Sequence, residues 1–173
     1  MQTRVSLRGW YLIQLWIISG LIGYALFLQH RLGLEPCPLC ILQRLVFFGL
    51  AAVLLVAIVH SPKGWGRRVY GGAGGLVALV GVAISAWHVR LQNLPADQVP
   101  SCGPGLDFMM ENFPLTDTAR MVFQGSGECA ELLWSFMGLS MPAWALIWFV
   151  LLGIAAVLPL VPALRRLVLS DAG

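Results

Sequence analysis

The apolar residues of this chain gather into four long stretches separated by more polar segments. Each stretch has close to the roughly 20 helical residues needed to cross about 30 Å of hydrocarbon. A single charged residue, Arg44, falls inside them. The pattern predicts an all-α membrane protein, a four-helix transmembrane bundle with one long loop. The predicted spans are residues 10–28, 41–59, 69–87 and 142–161.

Two loops, residues 29–40 and 88–141, are predicted on one side of the membrane, and residues 1–173 are expected to form a single integral-membrane domain. In the long loop, the segments LDFMMENF and CAELLWSFMGLSM mix apolar residues with acids. Such segments either lie as short amphipathic helices on the membrane surface or pack on the ends of the spans. The sequence leaves both alternatives open.

Composition and charge agree with a membrane protein. Apolar residues make up 58% of the chain and charged residues 11%, which excludes a water-soluble protein because its surface would need more polar groups. Most basic residues fall at the two termini and between spans two and three, so the positive-inside rule predicts that both termini are cytoplasmic. The net charge of +3 thus reflects topology and gives no support to nucleic-acid binding. These basic residues are Arg4, Arg8, Lys63, Arg67, Arg68, Arg165 and Arg166.

The predicted topology puts all four cysteines, Cys37, Cys40, Cys102 and Cys129, on the non-cytoplasmic side. Three interpretations compete: two structural disulfides, a zinc site made of four cysteines, and a relay of exchanging disulfides. The C-x-x-C spacing of Cys37 and Cys40 favours the relay, because so small a ring adds little stability and the spacing is typical of readily exchanging pairs.

The residues after this motif favour a thiolate at Cys40. A helix N-terminus stabilises negative charge, and Arg44 lies one turn later on the same helical face. An arginine inside a span costs on the order of a few kcal/mol unless it snorkels or finds a partner. Arg44 therefore either snorkels to the interface or faces Cys40 and the oxygens of an electron acceptor, with Gln43 as a second donor.

Oxidation of a dithiol releases two electrons, and an acceptor must take them. The chain has no dinucleotide fingerprint, no haem-attachment motif and no iron–sulfur spacing. A lipid-soluble quinone is the candidate left by this exclusion, since a dithiol at the edge of the bilayer can reach it.

Over nearly its whole length the chain resembles the DsbB family, the bacterial inner-membrane disulfide bond formation proteins. The segment PCPLCILQR matches the family pattern C-x-L-C-x-x-x-R, and SGECAELLWSFMGLSMPAW follows the pattern around the second loop cysteine. Where many relatives have Glu before the arginine, this chain has Gln43, which puts in doubt any role for a carboxylate at that position.

The resemblance implies redox disulfides Cys37–Cys40 and Cys102–Cys129. It implies that the protein reoxidises a periplasmic, thioredoxin-like dithiol oxidase of the DsbA type and passes the electrons to ubiquinone or menaquinone. The partner would attack Cys102, Cys129 would exchange with Cys37, and Cys40 would react with the quinone. The resemblance further implies that Arg44 and His88 belong to the quinone site.

Overall fold

The computed structural model of the chain describes residues 6–95, 97–98, 108, 111–124, 127–130, 132 and 134–162. Within these residues, four helices are long and apolar enough to cross a membrane. They confirm the predicted all-α membrane fold. In chain order the elements are α1 (Leu7–Leu32), α2 (Pro38–His60), α3 (Trp65–Gln92), α4 (Leu115–Gln124), α5 (Gly127–Ala130), β1 (Ser135–Phe136), β2 (Leu139–Ser140) and α6 (Met141–Val157), which a 3₁₀ turn at Leu158–Leu160 extends.

The first three long helices extend beyond the apolar stretches that predicted them. Helix α1 begins after Ser6, whose hydroxyl accepts a hydrogen bond from the N–H of Gly9 at 3.1 Å, and it ends at Gly33 with φ 64°. Polar residues 29–31 continue the helix, because the apolar stretch marks the hydrocarbon thickness and not the end of the hydrogen-bonded helix. As a result, the first loop contains only residues 33–37.

Small residues on α3 let this helix pack closely against α6. A Cβ atom at Gly75 would lie 2.6 Å from a side chain of α6, and one at Gly81 would lie 2.4 Å from the ring of Phe149. The pair Gly71 and Gly75 therefore lies at a helix contact, as small residues do in membrane bundles. Phe149 also stacks on Phe47 of α2, with ring centroids 4.0 Å apart, so this contact joins three helices.

The outward surface of the long helices is apolar. Large side chains such as Trp16, Phe48, Leu55, Leu76 and Ile154 are exposed along them. A surface of this kind suits contact with lipid chains.

The described part of the long loop packs on the ends of α2 and α3. Helix α4, which the apolar pattern did not predict, buries Thr118 and Val122. Val122 packs in one apolar cluster with Cys37, Leu39 and Cys129. The loop therefore brings its second cysteine against the start of α2.

The segment CAELLWSFMGLSM contains an antiparallel hairpin, in which Ser135 pairs with Ser140 and Phe136 with Leu139. Of the two alternatives considered for this segment, residues 135–140 do not form the amphipathic helix. Met137 and Gly138 both have positive φ, 53° and 79°, and two such residues form a tight hairpin turn. In the segment LDFMMENF, only residues 108 and 111–113 are among the described residues.

Candidate active site

The C-x-x-C motif wraps the N-terminus of α2. Cys37 is the cap residue in an extended conformation, and Pro38 occupies the first turn of the helix. The Sγ atom of Cys37 accepts a hydrogen bond from the N–H of Cys40 at 3.4 Å, and the two sulfur atoms lie 2.8 Å apart. Both cysteines are free thiols here. Their placement lets a disulfide form without moving the helix.

Cys129 of α5 approaches this pair from the long loop. Its side chain is 1% exposed, and that of Cys37 is 6% exposed. The two sulfur atoms and a ring nitrogen of His88 all lie within 4.8 Å of one another. Sulfur atoms from distant parts of the chain thus meet in a buried position, as thiol–disulfide exchange requires.

His88 of α3 lies at the centre of this group and is 1% exposed. Its Nε2 atom is 3.1 Å from the carbonyl oxygen of Cys129 and 3.7 Å from Sγ of Cys37. Its Nδ1 atom is 3.4 Å from the side-chain nitrogen of Gln43. A carbonyl only accepts and an amide N–H₂ only donates, so these contacts fit a neutral ring with its proton on Nε2.

The surroundings of Cys37 hold its thiol in the protonated form. A hydrogen bond with Cys129 favours the thiolate most strongly. Hydrogen bonding to Cys40, burial and the charge of Cys40 together outweigh it and raise the pKa of Cys37 to about 12. Because the attacking sulfur must be a thiolate, Cys37 is better suited to be attacked than to attack at neutral pH.

An apolar cavity of about 330 Å³ opens beside Cys40. Gln43 and Arg44 supply polar groups at its wall, and aromatic rings of Tyr24, Phe47, Trp134, Phe136, Trp144 and Trp148 supply much of the rest. A flat, apolar ring with a few polar oxygens is the kind of ligand that such a lining accommodates. The residues present therefore fit a quinone, with Cys40 within reach of it.

A smaller cavity of about 50 Å³ adjoins the large one and shares several lining residues with it. Cys37 and His88 line this smaller cavity, whereas Cys40 and Arg44 line both cavities. His88 does not line the large cavity. It contacts Gln43, which does. Cys37 therefore lies beside His88 and the loop cysteine, whereas Cys40 lines the large apolar cavity.

Arg44 has a protein partner inside the bundle. Its guanidinium donates a hydrogen bond to the side-chain oxygen of Gln29 on α1. The side chain is only partly exposed and lines the cavity beside Cys40. Of the two sequence interpretations, this arrangement favours the arginine that faces the site.

Sequence reasoning missed the part of the site that comes from other elements. Gln29, at the polar end of α1, orients Arg44. A polar residue directly after an apolar stretch was the one sequence feature that could have indicated this role. The hairpin places Phe136 against Trp144, whose indole N–H donates to the Phe136 carbonyl at 3.1 Å. Cys102, a predicted site residue, lies outside the described residues.

Similar proteins identify the family of this chain. A profile of the family "Disulfide bond formation protein DsbB" matches residues 7–159. The chain belongs to the DsbB family. It is 50% identical to "Disulfide bond formation protein B" of Nitrosococcus oceani over 151 residues, which cover 87% of this chain and 89% of that protein. The protein of the same name from Methylococcus capsulatus is 48% identical over 87% of this chain and 92% of its own length.

A third DsbB relative, from Hahella chejuensis, is 46% identical over 83% of this chain and 87% of its own length. With membership of the DsbB family, the four apolar helices place the chain in the bacterial inner membrane as a multi-pass protein. Its activity is that of a disulfide oxidoreductase that passes electrons to a quinone.

Proposed function

We propose that the chain reoxidises a DsbA-type, thioredoxin-fold oxidase in the periplasm and passes the electrons to ubiquinone or menaquinone. The observation that carries this proposal is the position of Cys40. It touches Cys37, which faces the loop cysteine, and it also lines the apolar cavity. Electrons from a soluble dithiol would need such a route to reach a lipid-soluble acceptor.

We also propose the topology that this route requires. The cysteines lie on the periplasmic side and both termini in the cytoplasm, in line with Lys63 between α2 and α3 and with Arg67 and Arg68 in the first turn of α3. The whole chain forms one membrane domain, with a short periplasmic loop before α2 and a long one before α6.

The proposed exchange begins at the disulfide Cys102–Cys129. A partner thiolate attacks Cys102, and Cys129 leaves as a thiolate. Cys129 then attacks Cys37 in the disulfide Cys37–Cys40, and Cys40 leaves as a thiolate. The second thiolate of the partner then attacks the mixed disulfide, which releases the oxidised partner and leaves Cys102 as a thiolate. Cys102 attacks Cys129 in the disulfide Cys129–Cys37 and displaces Cys37, so the loop disulfide is restored and Cys37 and Cys40 are both reduced. One dithiol has then been oxidised and another reduced.

The quinone accepts two electrons and two protons when bound. The residues of this chain prepare that step. Cys40 holds its sulfur at the cavity, with the N-terminus of α2 and Arg44 stabilising negative charge. Gln43 orients His88, and the Nε2 proton of His88 lies near the sulfur of Cys37, where it stabilises charge during exchange. Re-formation of the disulfide Cys37–Cys40 returns the protein to its starting state.

The direct test uses the purified protein in lipid nanodiscs with a reduced thioredoxin-fold partner and a quinone. We expect quinol to appear, followed by its ultraviolet absorbance, in step with loss of partner thiols. Cys40→Ser should abolish quinol formation. Absence of quinol with wild-type protein would favour the rival interpretation, a membrane scaffold held by static disulfides.

A further inference from the structure

Three buried side chains of the exchange site form a set of metal ligands. The sulfur atoms of Cys37 and Cys129 and a ring nitrogen of His88 lie within 4.8 Å of one another. We propose that the fully reduced protein binds one thiophilic divalent cation, such as Zn²⁺, through these three side chains. The site differs from the four-cysteine zinc site considered from the sequence, since it uses two sulfur atoms and one imidazole.

The distances suit such an ion. With zinc–sulfur bonds of about 2.3 Å and zinc–nitrogen bonds of about 2.0–2.1 Å, tetrahedral geometry separates sulfur from nitrogen by about 3.6 Å. Sγ of Cys37 and Nε2 of His88 are 3.7 Å apart. Sγ of Cys40 does not belong to the group of three ligand atoms that lie within 4.8 Å of one another. A water molecule would fill the fourth position.

Gln43 supports the histidine as a ligand. Metal binding at Nε2 needs the ring proton on Nδ1, which lies 3.4 Å from the amide nitrogen of Gln43. Rotation of the amide presents its oxygen in place of its nitrogen, so Gln43 then accepts the Nδ1 proton. Such outer hydrogen bonds commonly fix the orientation of metal-bound histidines. Metal binding at Nε2 would break the contact between Nε2 and the carbonyl oxygen of Cys129.

The proposed site exists in one redox state only. Both sulfur atoms must be thiolates to bind the ion, so binding to two thiols and a neutral imidazole releases two protons. When Cys37 or Cys129 is in a disulfide, its sulfur carries no charge and the site is lost. A bound cation would therefore keep the protein reduced and block its reoxidation. Binding of the metal would in this way inhibit the proposed function.

The first test measures coordination in the wild-type, full-length protein. Fully reduced protein in detergent, with one equivalent of Zn²⁺ and neither partner nor quinone, is examined by X-ray absorption at the zinc edge. We expect two sulfur ligands and one imidazole nitrogen. Coordination by sulfur alone would overturn the proposal, as would coordination without sulfur. Because this measurement involves no turnover, its result is independent of the proposed function.

The second test compares variants by competition for Zn²⁺ with a chelating indicator. Cys129→Ser and His88→Gln should each weaken binding at least about 10-fold, since loss of even an outer-shell partner costs about that much. Cys40→Ser should bind as wild type does, and so should His30→Gln, a matched change at the exposed end of α1. Circular dichroism of the zinc-free variants checks that each is folded.

The opposite pattern would identify a different site. If Cys129→Ser kept wild-type affinity and Cys40→Ser lost it, the ion would be bound by the C-x-x-C dithiol alone and the proposal would be wrong. Oxidised wild-type protein serves as the redox control. Binding of Zn²⁺ to that form with the affinity of the reduced form would also contradict the proposal.

Discussion

At the scale of single residues, Arg44 lies at the boundary between two cavities and donates a hydrogen bond to Gln29. A hydrogen bond from the guanidinium of Arg44 to a quinone oxygen would contribute about 1.5–3 kcal/mol, which corresponds to roughly 10- to 100-fold in affinity for the quinone. We therefore expect Arg44→Gln to raise the KM for quinone by roughly that factor. The measurement is the rate of quinol formation at varied concentrations of a short-chain quinone.

The matched control for Arg44 is Arg31→Gln, at the exposed end of α1. This change removes the same charge outside the cavity and should leave the KM for quinone unaltered. An unchanged KM in Arg44→Gln would remove this arginine from the quinone site and return it to the snorkelling interpretation.

Cys37 gives a prediction about pH. Its pKa is raised to about 12, so the thiolate fraction near neutral pH is far below that of an ordinary cysteine with a pKa of about 8.5. Because alkylation requires the thiolate, the rate at Cys37 in the reduced protein should rise about 10-fold per pH unit from pH 7 to about pH 10. Mass spectrometry after timed iodoacetamide treatment measures this rate at the single site.

The urea-unfolded protein is the reference for that measurement. There the alkylation rate of Cys37 should level off above about pH 9.5, as expected for an ordinary thiol. A similar plateau in the folded protein would show that Cys37 ionises normally, and the assignment of Cys37 as the attacked sulfur would lose its electrostatic basis.

At the scale of elements, the contact between α3 and α6 depends on the absence of a side chain at Gly81. A Cβ there would lie 2.4 Å from the Phe149 ring, which stacks on Phe47 beside the large cavity. Overpacking of this kind costs about 1–3 kcal/mol. We expect Gly81→Ala to lower the thermal unfolding temperature in detergent, measured by circular dichroism.

Two further variants separate crowding from other effects of the alanine at position 81. Gly23→Ala on α1 adds the same methyl group where no atom lies within 4 Å, and it should be neutral or stabilising. The double variant Gly81→Ala with Phe149→Leu should recover part of the lost stability. If Gly81→Ala unfolds at the wild-type temperature, the helix contact tolerates a Cβ and the packing argument fails.

The apolar pattern was sufficient to predict the long helices, because spanning the hydrocarbon requires length and hydrophobicity alone. Helical spacing was likewise sufficient to relate Cys40 to Arg44. The hairpin was not predicted, since its turn depends on positive φ at Met137 and Gly138 within an otherwise apolar segment. An apolar run of this length does not distinguish a short helix from a pair of strands.

The meeting of Cys37, His88 and Cys129 was also beyond sequence reasoning. Cys37 caps α2, His88 lies on α3 and Cys129 lies on α5. The contact between Cys37 and His88 spans 51 positions of the chain. Local patterns carry no information on how a long loop returns to the bundle. The family resemblance predicted the exchange between the cysteines, but it assigned His88 to the quinone site, whereas its direct contacts here are with the cysteines and Gln43.

At the scale of the whole molecule, the long loop must take part in two exchange reactions, one with Cys37 and one with a soluble partner. Cys129 is buried against α2 and α3, where no soluble protein can reach its sulfur. A soluble partner would therefore have to form its mixed disulfide through Cys102. In this proposal Cys102 would react with the soluble partner, and Cys129 would react with Cys37.

This division predicts which variant traps the partner. The probe is a thioredoxin-fold protein with one cysteine, activated as a mixed disulfide with nitrothiobenzoate. Attack by an enzyme thiolate releases that chromophore and joins the two proteins. We expect Cys129→Ala to form the adduct through Cys102, and Cys102→Ala to form almost none, because the remaining Cys129 is 1% exposed. Adduct formation is measured on a non-reducing gel and from the released chromophore. Equal trapping by both variants would mean that the loop opens to expose Cys129. The proposed order of exchange would then be wrong.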